Sequence, residues 1–197
     1  MKRFVLAACL PLLSGTLALS QVSGTCEDPV ILSAPAGLSL SIDVISSEID
    51  IVGGNRDNVR ITCRVSNDDR PEGIHVRADC NGSSGTIRVT GPHPDSLHIL
   101  VEVPRQTNFR LRIPAGEVKV NDVSGDKDIA VNAGEVIVSK LDSSQYHSIH
   151  ASVDIGDVHA PAFGPNKGGF FRSFNKSNAN GPYRLRVHVI TGSIKLD

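Results

Sequence analysis

The side chains able to do chemistry in this 197-residue chain are carboxylates, histidines, cysteines and one cluster of phenylalanines. Glu117, Asp126, Asp128, Glu135, Asp154 and Asp157 punctuate a glycine-rich stretch and invite a calcium array. Calcium takes about six to eight oxygens around one ion. The Gly-Gly-x-Gly-x-Asp solenoid repeat is absent, so these residues read as solvated corner carboxylates that keep strand edges soluble. Histidines cluster at Tyr146-His147-Ser148-Ile149-His150, with His159 beyond. Three-residue spacing puts ligands on one face of a helix but on opposite faces of a strand. His75, His98, His150 and His188 fall out of phase with the aliphatics and are expected on the outer surface, so no metal site is expected. A glycan-processing enzyme would need carboxylates and cations on one face, for which Asp128, Asp154 and Asp157 beside Lys119, Lys140 and Arg172 are the available set. No nucleophile elbow, triad cue or nucleotide loop accompanies them. The expectation is therefore no catalytic residue, no cofactor and no metal.

Cys63 is in phase with Val59, Ile61 and Val65, and Cys80 with Ile74, Val76 and Ala78, so both thiols face inward. They stand 17 residues apart. Strands stacked in parallel layers would superpose them, predicting a Cys63–Cys80 disulfide with Cys26 left over. The alternative is two buried thiols acting as small hydrophobes. Phe163, Phe170, Phe171 and Phe174 lie within a Gly/Asn/Ser/Lys-rich insert at 161–182, with Tyr183 just past it. They are expected either to cap the end of the fold or to form an exposed contact patch.

Most of these residues belong to a ladder. Gly116-Glu117-Val118-Lys119-Val120 is followed by Gly125-Asp126-Lys127-Asp128-Ile129 and Gly134-Glu135-Val136-Ile137-Val138. Gly156-Asp157-Val158 and Gly192-Ser193-Ile194-Lys195-Leu196 complete it. The first two steps are nine residues each and the third is 22, which leaves room for a longer turn near 143–147. Each unit is a glycine able to take positive φ, then a strand whose aliphatics alternate with polar residues. A single strand of this kind cannot bury its apolar face. Stacked copies can, which is the logic of a solenoid. Similar alternation runs through 38–51, 59–65, 74–80, 97–103, 109–113 and 185–189, and no window has a sustained helical period. The fold class is all-β: a short stacked β-solenoid in one domain, with a β-sandwich as the alternative.

Composition sets further bounds. Net charge is −1, which removes any electrostatic case for nucleic acid, and aromatics make up 4% with no Trp, so the core must be Val, Ile, Leu and Ala. Lys2 and Arg3 precede an apolar run, and Ala18-Leu19-Ser20 suits cleavage before Gln21, so 1–20 reads as a signal peptide. Leu6-Ala7-Ala8-Cys9 resembles a lipoprotein box but leaves too little apolar sequence before Cys9. The reading is 1–20 signal peptide, 21–36 leader and 37–197 folded domain, with no transmembrane segment in the mature chain. Export to the periplasm or cell surface follows.

The stretch from Val101-Glu102-Val103-Pro104 through the glycine–acid units to Gly192-Ser193-Ile194-Lys195-Leu196 resembles the bacterial toast-rack family, adhesin-like proteins of unknown function. The likeness is good over about 97–197 and loose over 38–90. Ala115 and Ala133 stand where that family favours Ser or Thr, and the phenylalanine insert is a departure. The resemblance implies exported repetitive β-structure with a surface or adhesive role, and it carries no catalytic residues. The function expected is a non-enzymatic envelope scaffold or adhesin-like module binding a protein or glycan. The alternative is a polysaccharide lyase or hydrolase built on a β-solenoid.

Overall fold

The computed structural model describes residues 19–35, 37–45, 47–65, 73–92, 96–163 and 167–197. The expected signal peptide lies almost wholly outside the described residues. Strands β1 (Leu19–Thr25), β2 (Val30–Ser33), β3 (Ser39–Asp43), β4 (Ser47–Gly54) and β5 (Asn58–Val65) come first. They are followed by β6 (His75–Asn81), β7 (Ser84–Thr90) and β8 (Leu97–Pro104). Four long strands dominate the rest: β9 (Asn108–Asn121), β10 (Lys127–Ser139), β11 (Tyr146–His159) and β13 (Tyr183–Leu196), with β12 (Lys167–Ser177) between the last two. Among the described residues there is no α-helix, only 3-10 turns at Ser143–Gln145 and Pro161–Phe163. The chain is all-β, as its alternation requires.

All these strands join one continuous sheet, folded on itself along a line of glycines. Gly116, Gly134, Gly192 and Gly156 lie side by side on β9, β10, β13 and β11. Their φ angles run from 136° to 143°. A Cβ at Gly134 would sit 1.8 Å from the carbonyl oxygen of Gly116, and one at Gly192 would sit 1.7 Å from that of Gly134. The neighbouring backbone occupies the space of a side chain, so each strand can bend there only as glycine.

The bend divides the sheet into two walls. The first runs β1-β6-β7-β3 and continues into the N-terminal halves of β9, β10, β13 and β11. The second runs β2-β5-β8-β4 into the C-terminal halves of the same long strands. Aliphatics from both walls meet in one core between them and stand in register along each wall. Ile42, Leu111, Ile129, Val187 and Ala151 form one column of the first wall. Ile49, Val118, Val136, Ile194 and Val158 form one of the second. Every member of both columns is at most 2% exposed. At roughly 1.5–3 kcal/mol per buried aliphatic, such columns are the main stabilising term.

A short third side closes each coil. Phe109 pairs with Lys127, an offset of 18 residues, so Gly116 and Gly134 mark successive passes of one corner. Gly125 stands on the third side, where Thr107 N–H donates to the Ser124 carbonyl at 3.0 Å. Nine residues is thus half a coil.

Spatial order departs from chain order in two ways. First, β13 inserts between β10 and β11, so the ladder in space reads 116, 134, 192, 156. The 22-residue step in the sequence is what spans the extra strand width, through the turn at Ser143–Gln145. Second, the N-terminal half is not stacked parallel coils. β6 pairs antiparallel with β1 and β7, and β5 antiparallel with β2 and β8.

This second departure overturns the Cys63–Cys80 pairing. β5 belongs to the second wall and β6 to the first, so the two cysteines are not on stacked neighbours. Cys26 lies where the chain crosses from β1 on the first wall to β2 on the second, and the disulfide is Cys26–Cys63. Cys80 is a free, buried thiol, in line with the small-hydrophobe reading. The 21–36 segment, read as a leader, supplies β2, most of β1 and a half-cystine, so folded structure begins ahead of 37. The Gly/Asn/Ser/Lys-rich insert at 161–182 contains β12, which runs antiparallel along the outer edge of β11.

Candidate functional site

Alternation places one charged side chain inside the wall. Lys127 is in phase with Ile129 and Val131, and its lateral neighbours are Phe109 and Leu185. It is 2% exposed. Its ammonium donates to the Tyr146 hydroxyl and, at 3.3 Å, to the Gly125 carbonyl, and lies 4.7 Å from the centre of the Tyr146 ring. Tyr146 in turn donates to the Val123 carbonyl at 3.4 Å. Burial drives the Lys127 pKa down to about 7, although the Asp126 carboxylate pulls the other way. Burial also raises the Tyr146 phenol well above its ordinary value.

On the opposite face of the same strands the polar residues form rows. Arg110, Asp128 and Arg186 lie level on β9, β10 and β13. Asp128 accepts from Arg110 at 3.1 Å and Arg112 at 2.9 Å. Burial alone would push its carboxyl up, but Arg112 and Arg110 together outweigh that and hold it below the usual range. One level further toward the third side, the Arg184 backbone N–H donates to Asp126 at 2.7 Å, and Asn108 accepts from the Asp126 backbone at 2.8 Å. Asn108, Arg110, Asp126, Asp128, Arg184 and Arg186 line an open groove of about 340 Å³. Among the described residues, the guanidinium groups of Arg184 and Arg186 have no carboxylate within ion-pair distance.

The second wall carries a mixed cluster. Glu48, Asp50 and His98 place ligand-type atoms within 4.8 Å of one another, the one such triad among the described residues. His98 meets Asp50 at 3.1 Å. Lys119 already engages Glu48 at 2.6 Å and Glu117 at 3.1 Å. That hydrogen bond lowers the Glu48 carboxyl and raises the Lys119 ammonium. Of the triad, Lys119 engages Glu48 alone, and Asp50 and His98 engage each other.

The candidates from sequence are spread out. Asp128 is on the first wall, Asp157 past the corner, Lys140 on the third side and Arg172 on β12, so they do not converge. Glu117 and Glu135 are lateral neighbours at the corner, and Asp157 is exposed there. His75 is exposed, His150 faces Asn175, and His188 meets Ser152 at 3.0 Å. Phe163 and Phe174 are half-buried against the core, 5.4 Å apart, with the Lys176 ammonium 4.5 Å from the Phe163 ring. Tyr183 tilts against Tyr146 at 6.0 Å. The side chains of Phe170 and Phe171 lie outside the described residues. Lys127, Arg184 and Arg186 went unremarked in the sequence, although phase with Ile129 marks the first and the repeated Arg-Leu-Arg at 110–112 and 184–186 marks the others.

Fold and surface together describe a folded all-β coil with a polar, arginine-bearing outer wall. No known family profile and no curated protein matches the chain. Among solved structures it is similar to a candidate cell adhesion protein from Clostridium sporogenes ATCC 15579, at 12% identity and a TM-score of 0.49. That match covers 86% of this chain and 98% of the other. It is also similar to a candidate adhesin from Bacteroides fragilis NCTC 9343, at 6% identity and a TM-score of 0.29, covering 90% of this chain and 97% of the other. At these identities and scores neither neighbour assigns a role to any residue here.

Proposed function

We propose that this chain is an exported, non-enzymatic binding module of adhesin-like type, working at the cell envelope or outside it through the outer face of its first wall. The observation that carries this is Arg184 and Arg186, two guanidinium groups without a carboxylate partner among the described residues, held over a groove on a rigid sheet. A sheet wall presenting unpaired planar donors suits recognition, because the backbone is already ordered and the guanidinium fork loses less freedom per hydrogen bond formed when an anion docks. Export is supported by the Cys26–Cys63 disulfide, since such bonds persist in oxidising compartments. No helix among the described residues is long and apolar enough to cross a membrane. The half-buried Phe163–Phe174 pair is assigned to capping the end of the stack rather than to contact.

Lys127, whose proton affinity burial brings down to about 7, turns its ammonium inward to Tyr146 and away from the arginines of the outer face. The test uses the purified protein against fractionated cell envelope. Saturable binding that weakens with salt is expected, and no binding in any fraction would overturn the reading. Incubation with acidic and neutral polysaccharides checks for new reducing ends or unsaturated products. Turnover abolished by a single Asp substitution would replace the binding module with an enzyme.

A further inference from the structure

We infer that the groove on the first wall is a binding site for a carboxylate-bearing polysaccharide, a uronate chain, an inference that rests on the binding-module reading above. The arginines set the first requirement. Arg110 and Arg186 are two strands apart, roughly 10 Å, and Arg184 and Arg186 two residues apart, roughly 6.6 Å along β13. Arg184 and Arg186, without a carboxylate partner among the described residues, and Arg110, level with Arg186 and shared with Asp128, match anions repeated along a chain better than one isolated anion. Guanidinium engages a carboxylate through two parallel N–H donors, which suits a planar acid.

The remaining lining sets the second requirement. Asp126, Asp128 and Asn108 place oxygen acceptors between the arginines, and Ser39 adds a hydroxyl at the rim. A ligand that carries hydroxyl donors beside its carboxylates satisfies both sets. The groove offers no exposed aromatic on which a base would stack, which disfavours a single-stranded nucleic acid. Phe109, at its floor, is only 4% exposed. Single solvent-exposed arginine–carboxylate contacts are weak, so affinity comes from repeated engagement along the polymer and falls with salt.

The experiment measures binding of the full chain to alginate and polygalacturonate, with dextran as neutral control and single-stranded DNA as a competing polyanion. The variant is Arg184→Ala/Arg186→Ala, whose side chains are exposed, and its unchanged melting temperature verifies the fold. Uronate binding that weakens at least about tenfold in the variant, with dextran silent and DNA weaker, is the expected result. No uronate binding, tighter binding to DNA, or uronate binding indifferent to the two substitutions would each overturn the assignment. Envelope binding run in parallel separates the two levels. If the variant retains full envelope binding, the groove assignment fails while the module reading stands. If neither protein binds envelope or polysaccharide, the module reading itself fails.

Discussion

Replacing Lys127 by Met tests whether the first wall holds an ammonium group at the expense of stability. Met keeps length and apolar volume while removing the charge. Lowering the proton affinity of Lys127 from 10.5 to about 7 corresponds to roughly 5 kcal/mol. The unfolded chain keeps its proton up to about pH 10.4, whereas the folded chain releases it near 7. Between those values the unfolded state binds more protons, so stability rises with pH. The contribution is present in full above the unfolded value and is lost as pH falls through the folded one. Unfolding free energy of wild type relative to Lys127→Met should climb by about 1.4 kcal/mol per pH unit, roughly 3 kcal/mol from pH 7 to 9.5. Below pH 7 the variant should be the more stable protein, by roughly 2–3 kcal/mol, once lost hydrogen bonds to Gly125 and Tyr146 are deducted at about 1 kcal/mol each. Tyr146 titrates above this window, and comparing the two proteins cancels the groups they share. The assay is urea unfolding followed by circular dichroism at several pH values. Parallel stability curves for the two proteins would refute the reasoning.

Gly134→Ala should cost more than about 4 kcal/mol or prevent folding, because strain at its φ of 143° adds to a Cβ placed 1.8 Å from the Gly116 carbonyl. Gly37→Ala, at φ 76° with nothing within 4 Å, should cost only about 1 kcal/mol; equal losses in thermal melts would contradict the corner argument. Cys26→Ser should lower stability by roughly 4 kcal/mol, the loop entropy of a 37-residue closure, and peptide mapping after denaturation should find Cys80 alkylated but Cys63 protected in wild type, and both alkylated in the variant. Phe163→Ala and Phe174→Ala should each cost about 1–2 kcal/mol, less than additively together because the rings touch, and leave polysaccharide binding unchanged. Lost binding with an unaltered melt would make the pair a contact surface instead of a cap.

Inside and outside were legible because side-chain direction along a strand repeats every two residues. Val118 and Val120 point inward and Lys119 outward on local grounds alone, and the same count places Lys127 within and the arginines of both Arg-Leu-Arg segments without. The corner glycines were legible for the same reason, since the need for positive φ belongs to one residue and its bend. Lateral order was not legible. The aliphatic faces of β10, β11 and β13 are nearly interchangeable, so alternation cannot say that β13 slides between the other two. It cannot say that Cys63 finds Cys26 across a crossover, or that Arg186 comes level with Arg110 with Asp128 between them. Local periodicity determined which way each residue faces. Long-range pairing, which depends on where every other strand has settled, decided which residues face one another and so assembled the groove.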